Sequence, residues 1–206
     1  MSAYRSEHLS AHHELERFDS GNETLDVWLR RAARHAEAAN TGRTFVWVEP
    51  GSPGVVGYFT LAAHLVRRDD VPKSVGHGSP DAIPAILLAR LALHRSLQGR
   101  GLGSQLLLDA LERAVDASAR AAARLVVVDA IDDQAAAFYE RYGFRARPGP
   151  RHLVRKASEV AAALRDDWPS LAPRRGLPCP ADRRKGVSHS PIGLRASTGR
   201  GASSQP

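Results

Sequence analysis

The stretch L93-H-R-S-L-Q-G-R-G-L-G-S-Q-L-L-L108 decides the reading of this chain. An apolar run, Ala85 to Leu93, leads into it and reads as a buried strand. Gly99, Gly101 and Gly103 follow, and Leu102, Leu106 and Leu107 then open a helical pattern. Strand, glycine turn and helix N-terminus together make an anion site, because unpaired backbone N–H groups and the helix dipole both favour negative charge there. Glycine adds positive φ and close backbone approach. The spacing is G-x-G-x-G, not the G-x-G-x-x-G of a dinucleotide fold, and no acid ends the next strand in a ribose-binding context.

Working outward, F18-D-S-G-N22 is turn-like and Asn22 is a natural N-cap. Leu25, Trp28, Leu29, Ala32, Ala33 and Ala36 then predict one amphipathic helix that ends at Asn40-Thr41-Gly42. Arg43–Glu49 and Val55–His64 predict a hairpin about P50-G-S-P-G54. A loop is expected from about Arg67 to Pro84. Leu102 to about Ser118 is a helix, Arg124–Ala130 a central strand, and Asp133–Arg141 a helix closed by Gly143. Residues 4–10 and 151–155 are short strands, the second at a sheet edge, and Ala157–Leu164 is a terminal helix. This order predicts one α/β (α+β) domain over residues 1–168, with a mixed central sheet flanked by helices.

The chain has 206 residues, 43% hydrophobic and 25% charged, enough to bury a core. Its +7 charge is uneven. Residues 1–168 hold 22 Lys+Arg and 21 Asp+Glu, whereas residues 169–206 hold seven basic residues and one acid, Asp182. That Pro/Gly/Ser/Arg-rich tail shows no apolar periodicity and is expected to be disordered. The lone cysteine, Cys179, excludes an internal disulfide framework. No secretory leader or membrane-spanning run is visible, so a cytoplasmic protein is expected. His64 and His77 stand at no metal-ligand spacing, and no metal is expected.

Q98-G-R-G-L-G103 after a strand resembles the acetyl-CoA loop, Q/R-x-x-G-x-G/A, of the GNAT family of N-acetyltransferases. D132-D-Q-A-A-A-F-Y-E-R-Y-G-F144 resembles that family's second signature, with Asp132 in place of Asn. A narrower match, F18-x-S-G-N-x-x-L-D-x-W-L29 with R43-T-F-V46, V56-G-Y-F-T-L-A62 and L88-A-R-L-A92, resembles the TacT-like acetyltransferase toxins of type II toxin–antitoxin systems. Ser20 stands where those toxins often carry cysteine, and His94 where an acid usually follows the strand.

The resemblance implies acetyl-CoA as donor. It would be held by Leu91, Ala92, Leu93, Gln98, Gly99, Arg100, Gly101, Leu102, Gly103, Ser104, Asp132 and Phe138, with Tyr139 as the general acid that protonates the departing thiolate. It further implies the α-amine of aminoacyl-tRNA as acceptor and a small ribbon-helix-helix antitoxin as partner; the residues leave open whether the chain forms a homodimer. The residues offer no evident general base, and an α-amine, titrating near about 8, has little need of one. Arg30, Arg31, Arg34, Arg43, Arg67, Arg68 and Arg90 are the candidates for tRNA phosphates. Acetylation of a small or protein amine, and a non-catalytic binding module, are the alternative readings.

Overall fold

The structure, a computed structural model, describes residues 4–149 and 151–166. The expected basic tail at 169–206 lies outside them. Seven strands form one mixed sheet in the order β1-β2-β3-β4-β5-β7-β6. They are β1 (Arg5–His8), β2 (Arg43–Val48), β3 (Val55–Arg67), β4 (Ala82–Leu93), β5 (Leu125–Asp129), β6 (Arg145–Ala146) and β7 (His152–Lys156). The helices are α1 (Glu23–Arg31), α2 (Ala33–Ala38), α3 (Lys73–Gly76), α4 (Leu102–Ala121), α5 (Asp133–Glu140) and α6 (Ala157–Asp166).

One sheet face packs against α4, α5 and α6 through Phe59, Leu61, Leu88, Leu93, Leu106, Leu111, Phe138 and Val160. Leu106, Leu107 and Leu111 of α4 are fully buried there, as the period of the opening stretch requires. The opposite face is covered in two pads. Leu25 and Leu29 of α1 cover Val46, Val48, Tyr58 and Ala92, while Val71 and Val75 around α3 cover Val66, Ile83, Ala85, Leu125 and Val127.

Three elements differ from the sequence expectation. The first helix is broken at Ala32 (φ −112°) into α1 and α2. No glycine or proline marks that break. The contacts that accompany it are tertiary: Arg34 donates to the His13 carbonyl at 2.7 Å, and Glu37 accepts from the Thr44 N–H. The segment from Arg67 to Pro84 is more ordered than a loop, since β3 continues to Arg67, α3 forms after Pro72, and β4 starts at Ala82. Finally, β7 is not an edge strand. It pairs with β5 on one side and with the two-residue β6 on the other. A two-residue strand carries no hydrophobic pattern from which it could be read.

The feature that creates a site is a fork. β4 runs parallel to β5 only from Ala85 to Leu88, opposite Leu125 to Val128. In the β3 ladder Thr60 then faces Arg90 while Leu61 faces Leu88, so Ala89 is an extra residue, a β-bulge. Past it, β4 stays with β3 and parts from β5. The edge of Ala89–Leu93 that would face β5 is left without a strand.

Candidate functional site

The fork opens onto the glycine turn. His94 ends β4, and its Nδ1 accepts from the Ser96 N–H at 3.2 Å, capping a 3-10 turn, Arg95–Leu97. A neutral imidazole here performs the capping that a carboxylate could also perform. Gln98 Nε2 donates to the carbonyls of Leu93 and Ser20, each at 2.9 Å, so its side chain braces the loop between β4 and the turn before α1. Ser20 is fully buried, and its hydroxyl donates to Asp26 Oδ1 at 2.6 Å, which accounts for a hydroxyl at this position.

Gly99 and Gly101 have φ of 72° and 77°, the left-handed region that only glycine enters freely. Gly103 differs: it is helical and buried, where absence of a side chain allows close packing. A Cβ placed on Gly101 would meet nothing within 4 Å, so the concave side of the turn is open to a ligand. α4 starts at this turn, and a helix start leaves its first N–H groups without acceptors in the helix. Ser104 is the exception, with its N–H directed at the Gly101 carbonyl at 3.2 Å. These groups, the exposed Arg100, and the free edge of Leu91–Leu93 fit an extended ligand that carries a pyrophosphate at one end and amides along its arm. Acetyl-CoA is such a molecule, and it supplies a thioester-activated acetyl group.

α5 brings the second signature to the same place. Asp132 caps it, accepting from the Ala135 N–H at 2.6 Å, which assigns Asp132 a helix-capping role. Phe138 is 3% exposed and packs against Tyr139 and Tyr142, so it belongs to the core. The Tyr142 hydroxyl donates to Ser104 Oγ at 2.7 Å, which ties the Ser104 side chain of α4 to the turn after α5. Tyr139 is buried and lines a cleft together with Leu88–Leu91 of β4 and with Asp129, Ala130 and Ile131 at the end of β5. The unpaired edge of β4 can polarise a carbonyl in that cleft, and Tyr139 can protonate a leaving thiolate. Phenols and thiols ordinarily titrate near about 10 and about 8.5, a nearly matched pair.

The seven arginines are not gathered into one patch. Arg30 donates to the Phe18 carbonyl at 2.8 Å and Arg34 to that of His13, so both tie loops to the helices. Arg31 is exposed. Arg43 bonds Glu37 and lines a cavity of about 550 Å³ between α4 and β2–β3, which holds no residue of the glycine turn or of α5. Arg67 and Arg68 sit by α3, the latter paired with Asp81 at 2.6 Å. Arg90 alone lines the cleft, with its guanidinium 4.6 Å over the Trp28 ring.

The sequence reading passed over Asp129, which also lines the cleft. The available signal was an acid ending an otherwise apolar parallel strand, since ligands gather at the carboxyl ends of such strands. It also passed over Glu7, His12 and His13, whose ligand-type atoms lie within 4.8 Å of one another. His13 Nδ1 accepts from the Ser10 N–H at 3.1 Å, so Nε2 carries the ring proton and has no lone pair for a cation. Among the described residues no helix is long and apolar enough to cross a membrane.

Comparison with known proteins agrees with this geometry. The family model described as "Acetyltransferase (GNAT) family" matches residues 9–144. The chain is 38% identical over 168 residues to the tRNA-acetylating toxin of Mycobacterium tuberculosis, covering 81% of this chain and 100% of the relative. The structure of AtaT complexed with acetyl-methionyl-tRNAfMet superposes with a TM-score of 0.71 at 29% identity, covering 77% of this chain and 98% of that one. The AtaT Y144F mutant toxin bound to the C-terminus of the antitoxin AtaR and acetyl-CoA gives 0.68 at 25%, covering 80% and 100%. With both signatures assembled at the fork and the family model spanning them, the chain belongs to the acetyltransferase (GNAT) family.

Proposed function

We propose that this acetyltransferase moves the acetyl group of acetyl-CoA to the α-amino group of aminoacyl-tRNA in the cytoplasm, and so blocks translation as the toxin of a toxin–antitoxin pair. One observation carries the reading: Tyr139 and the free edge of β4 share a cleft with Arg90, in a chain 38% identical to a tRNA-acetylating toxin along that relative's whole length. The donor lies along Leu91–Leu93 and the turn Gln98–Gly103. Tyr139 is the proton donor. An α-amine, ordinarily near about 8, is partly neutral at pH 7, whereas a lysine amine is not, which favours the aminoacyl ester over a protein side chain. Arg90 and Arg31 are the cations best placed for RNA, one in the cleft and one exposed on α1. A ribbon-helix-helix antitoxin and a homodimer belong to the same reading, and the AtaT complex with AtaR supports an antitoxin partner of whatever type.

The test is incubation with radiolabelled acetyl-CoA and total charged tRNA. Label should enter the RNA fraction and leave it as N-acetyl amino acid when the ester is hydrolysed by base. Acetyl-CoA binding without any labelled RNA would turn the assignment to a small-molecule or protein amine.

A further inference from the structure

Asp129 and Arg90 stand on opposite sides of the fork. β4 and β5 part after Leu88 and Val128, and the two residues follow that point by two positions and by one. Asp129 is the single acid and Arg90 the single base among the described residues that line the cleft.

Strand alternation puts both on the same face. Asp129 continues the side of Leu125 and Val127, which pack under α3. Arg90 continues the side of Ala92, which packs with Tyr58 under α1. Tyr58 and Val66 share one face of the unbulged β3, so the two pads cover one side of the sheet. That side is opposite α4, whose N-terminus receives the donor. A second substrate arriving from that side, past Leu25 of α1, meets a carboxylate and a guanidinium.

Both groups are held and both have capacity left. Asp129 Oδ1 is bound by His152 Nδ1 at 2.5 Å, and Arg147 Nη2 lies 3.6 Å from it. Oδ2 has no hydrogen-bond partner among the described residues, and the side chain is 42% exposed. Arg90 Nη1 donates to the Ala89 carbonyl at 3.1 Å, while its Nε is buried without a partner. Trp28 orients the guanidinium, but no carboxylate neutralises it among the described residues. A half-buried cation without a counter-charge is costly, so an anionic ligand gains by meeting it.

We infer that Asp129 and Arg90 form a two-point reader of the acceptor, the carboxylate accepting an N–H of the substrate α-amino group through Oδ2 and the guanidinium taking a phosphate. The inference rests on the acetyl-acceptor reading above and narrows it. The chemistry that satisfies both points is the aminoacyl ester of a 3′-terminal nucleotide, which carries an α-amino group and a phosphate on one small scaffold. A protein lysine or a polyamine offers the amine without the phosphate. Here Asp129 binds substrate, while His152 and Arg147 are positioning residues that fix its carboxylate.

The experiment uses two acceptors and one unreactive analogue. The acceptors are aminoacyl-tRNA and the methyl ester of the same amino acid, which lacks phosphate. The analogue is an amide-linked aminoacyl trinucleotide, titrated by calorimetry without acetyl-CoA. Asp129→Asn is expected to raise KM for both acceptors by about tenfold or more and to weaken the analogue alike, while the Kd for acetyl-CoA stays put. Arg90→Gln is expected to weaken aminoacyl-tRNA and the analogue while sparing the methyl ester. Melting temperature and acetyl-CoA affinity report whether each variant is folded, and Asp129→Glu and Arg90→Lys should recover part of the loss. Unchanged analogue binding in Asp129→Asn, or equal losses on both acceptors in Arg90→Gln, overturns the two-point reader. If the wild-type protein binds acetyl-CoA but acetylates neither acceptor, the functional reading itself has failed. Acetylation of the methyl ester but not of tRNA would remove the RNA acceptor while leaving the Asp129 result interpretable.

Discussion

The Tyr142 hydroxyl donates to Ser104 Oγ at 2.7 Å, joining the end of α5 to the first turn of α4. Tyr142 is 1% exposed and Ser104 half-buried, so the bond is partly shielded from water. It links the segment that follows Tyr139 to the turn to which we assign the donor's phosphates. Tyr142→Phe keeps the ring and removes the bond. The expected cost is about 1 kcal/mol of stability, with a several-fold weaker grip on acetyl-CoA because the turn is less firmly held. Thermal melting and calorimetry read the two effects, and an unaltered acetyl-CoA affinity would show that the strap does not support the turn.

Tyr139→Phe separates chemistry from binding. Phe138 and Phe144 pack against the Tyr139 ring, and a phenylalanine would keep those contacts. Acetyl-CoA should still bind, while kcat falls by about a hundredfold or more. Stopped-flow detection of the released thiol measures the step, and near-normal turnover would pass the proton-donor role to another group.

Charge reversal on α1 and α2 has to be done one residue at a time. Arg30 and Arg34 hold the carbonyls of Phe18 and His13, so Arg30→Ala and Arg34→Ala should each cost about 1–2 kcal/mol whatever their effect on RNA. Arg31→Glu should leave stability within about 0.5 kcal/mol and lower both tRNA affinity and its salt slope. A filter-binding salt titration decides the matter; identical slopes for wild type and Arg31→Glu would remove α1 from the RNA interface.

Stability should fall in mild acid. His13 is 2% exposed, and burial, followed by repulsion from His12, holds its pKa below the ordinary 6.5. The unfolded chain therefore binds a proton more readily than the folded one. The stabilising contribution is complete above about pH 6.5 and is lost as pH drops below it toward the lower folded value. His64 titrates in the same sense, with burial first and Arg147 second among the causes. Melting temperatures from about pH 7.5 to about pH 5 should decline in the wild type and decline less in His13→Gln. Parallel curves would assign the acid sensitivity elsewhere.

Elements with strong local signals were legible from residues alone. Asn22 accepts from the Leu25 N–H, as short-range capping chemistry dictates. The two positive-φ glycines of the turn followed from their spacing. What escaped has long-range causes. The break at Ala32 coincides with contacts from His13 and Thr44, distant in sequence and silent in local propensity. The place of β7 inside the sheet depends on a two-residue β6. In the site, motif membership assigned Gln98, Ser104, Asp132 and Phe138 to the donor but did not reveal that their side chains brace, bond, cap or pack within the fold. Asp129 was hidden because a strand pattern records which face a residue occupies, not what a neighbouring strand leaves open.

The fork itself settles when the cost of opening the sheet is met. Ala89 adds one residue to β4, and the strands separate because the register leaves no alternative. The gap is therefore completed as the chain folds, before any ligand arrives. Binding need not break β4–β5 hydrogen bonds, and the donor meets amide groups already aligned along one line. Such preorganisation moves ordering entropy from the binding step to the folding step. Deleting Ala89 would let β4 continue alongside β5, producing a better-paired sheet with nowhere to hold a thioester.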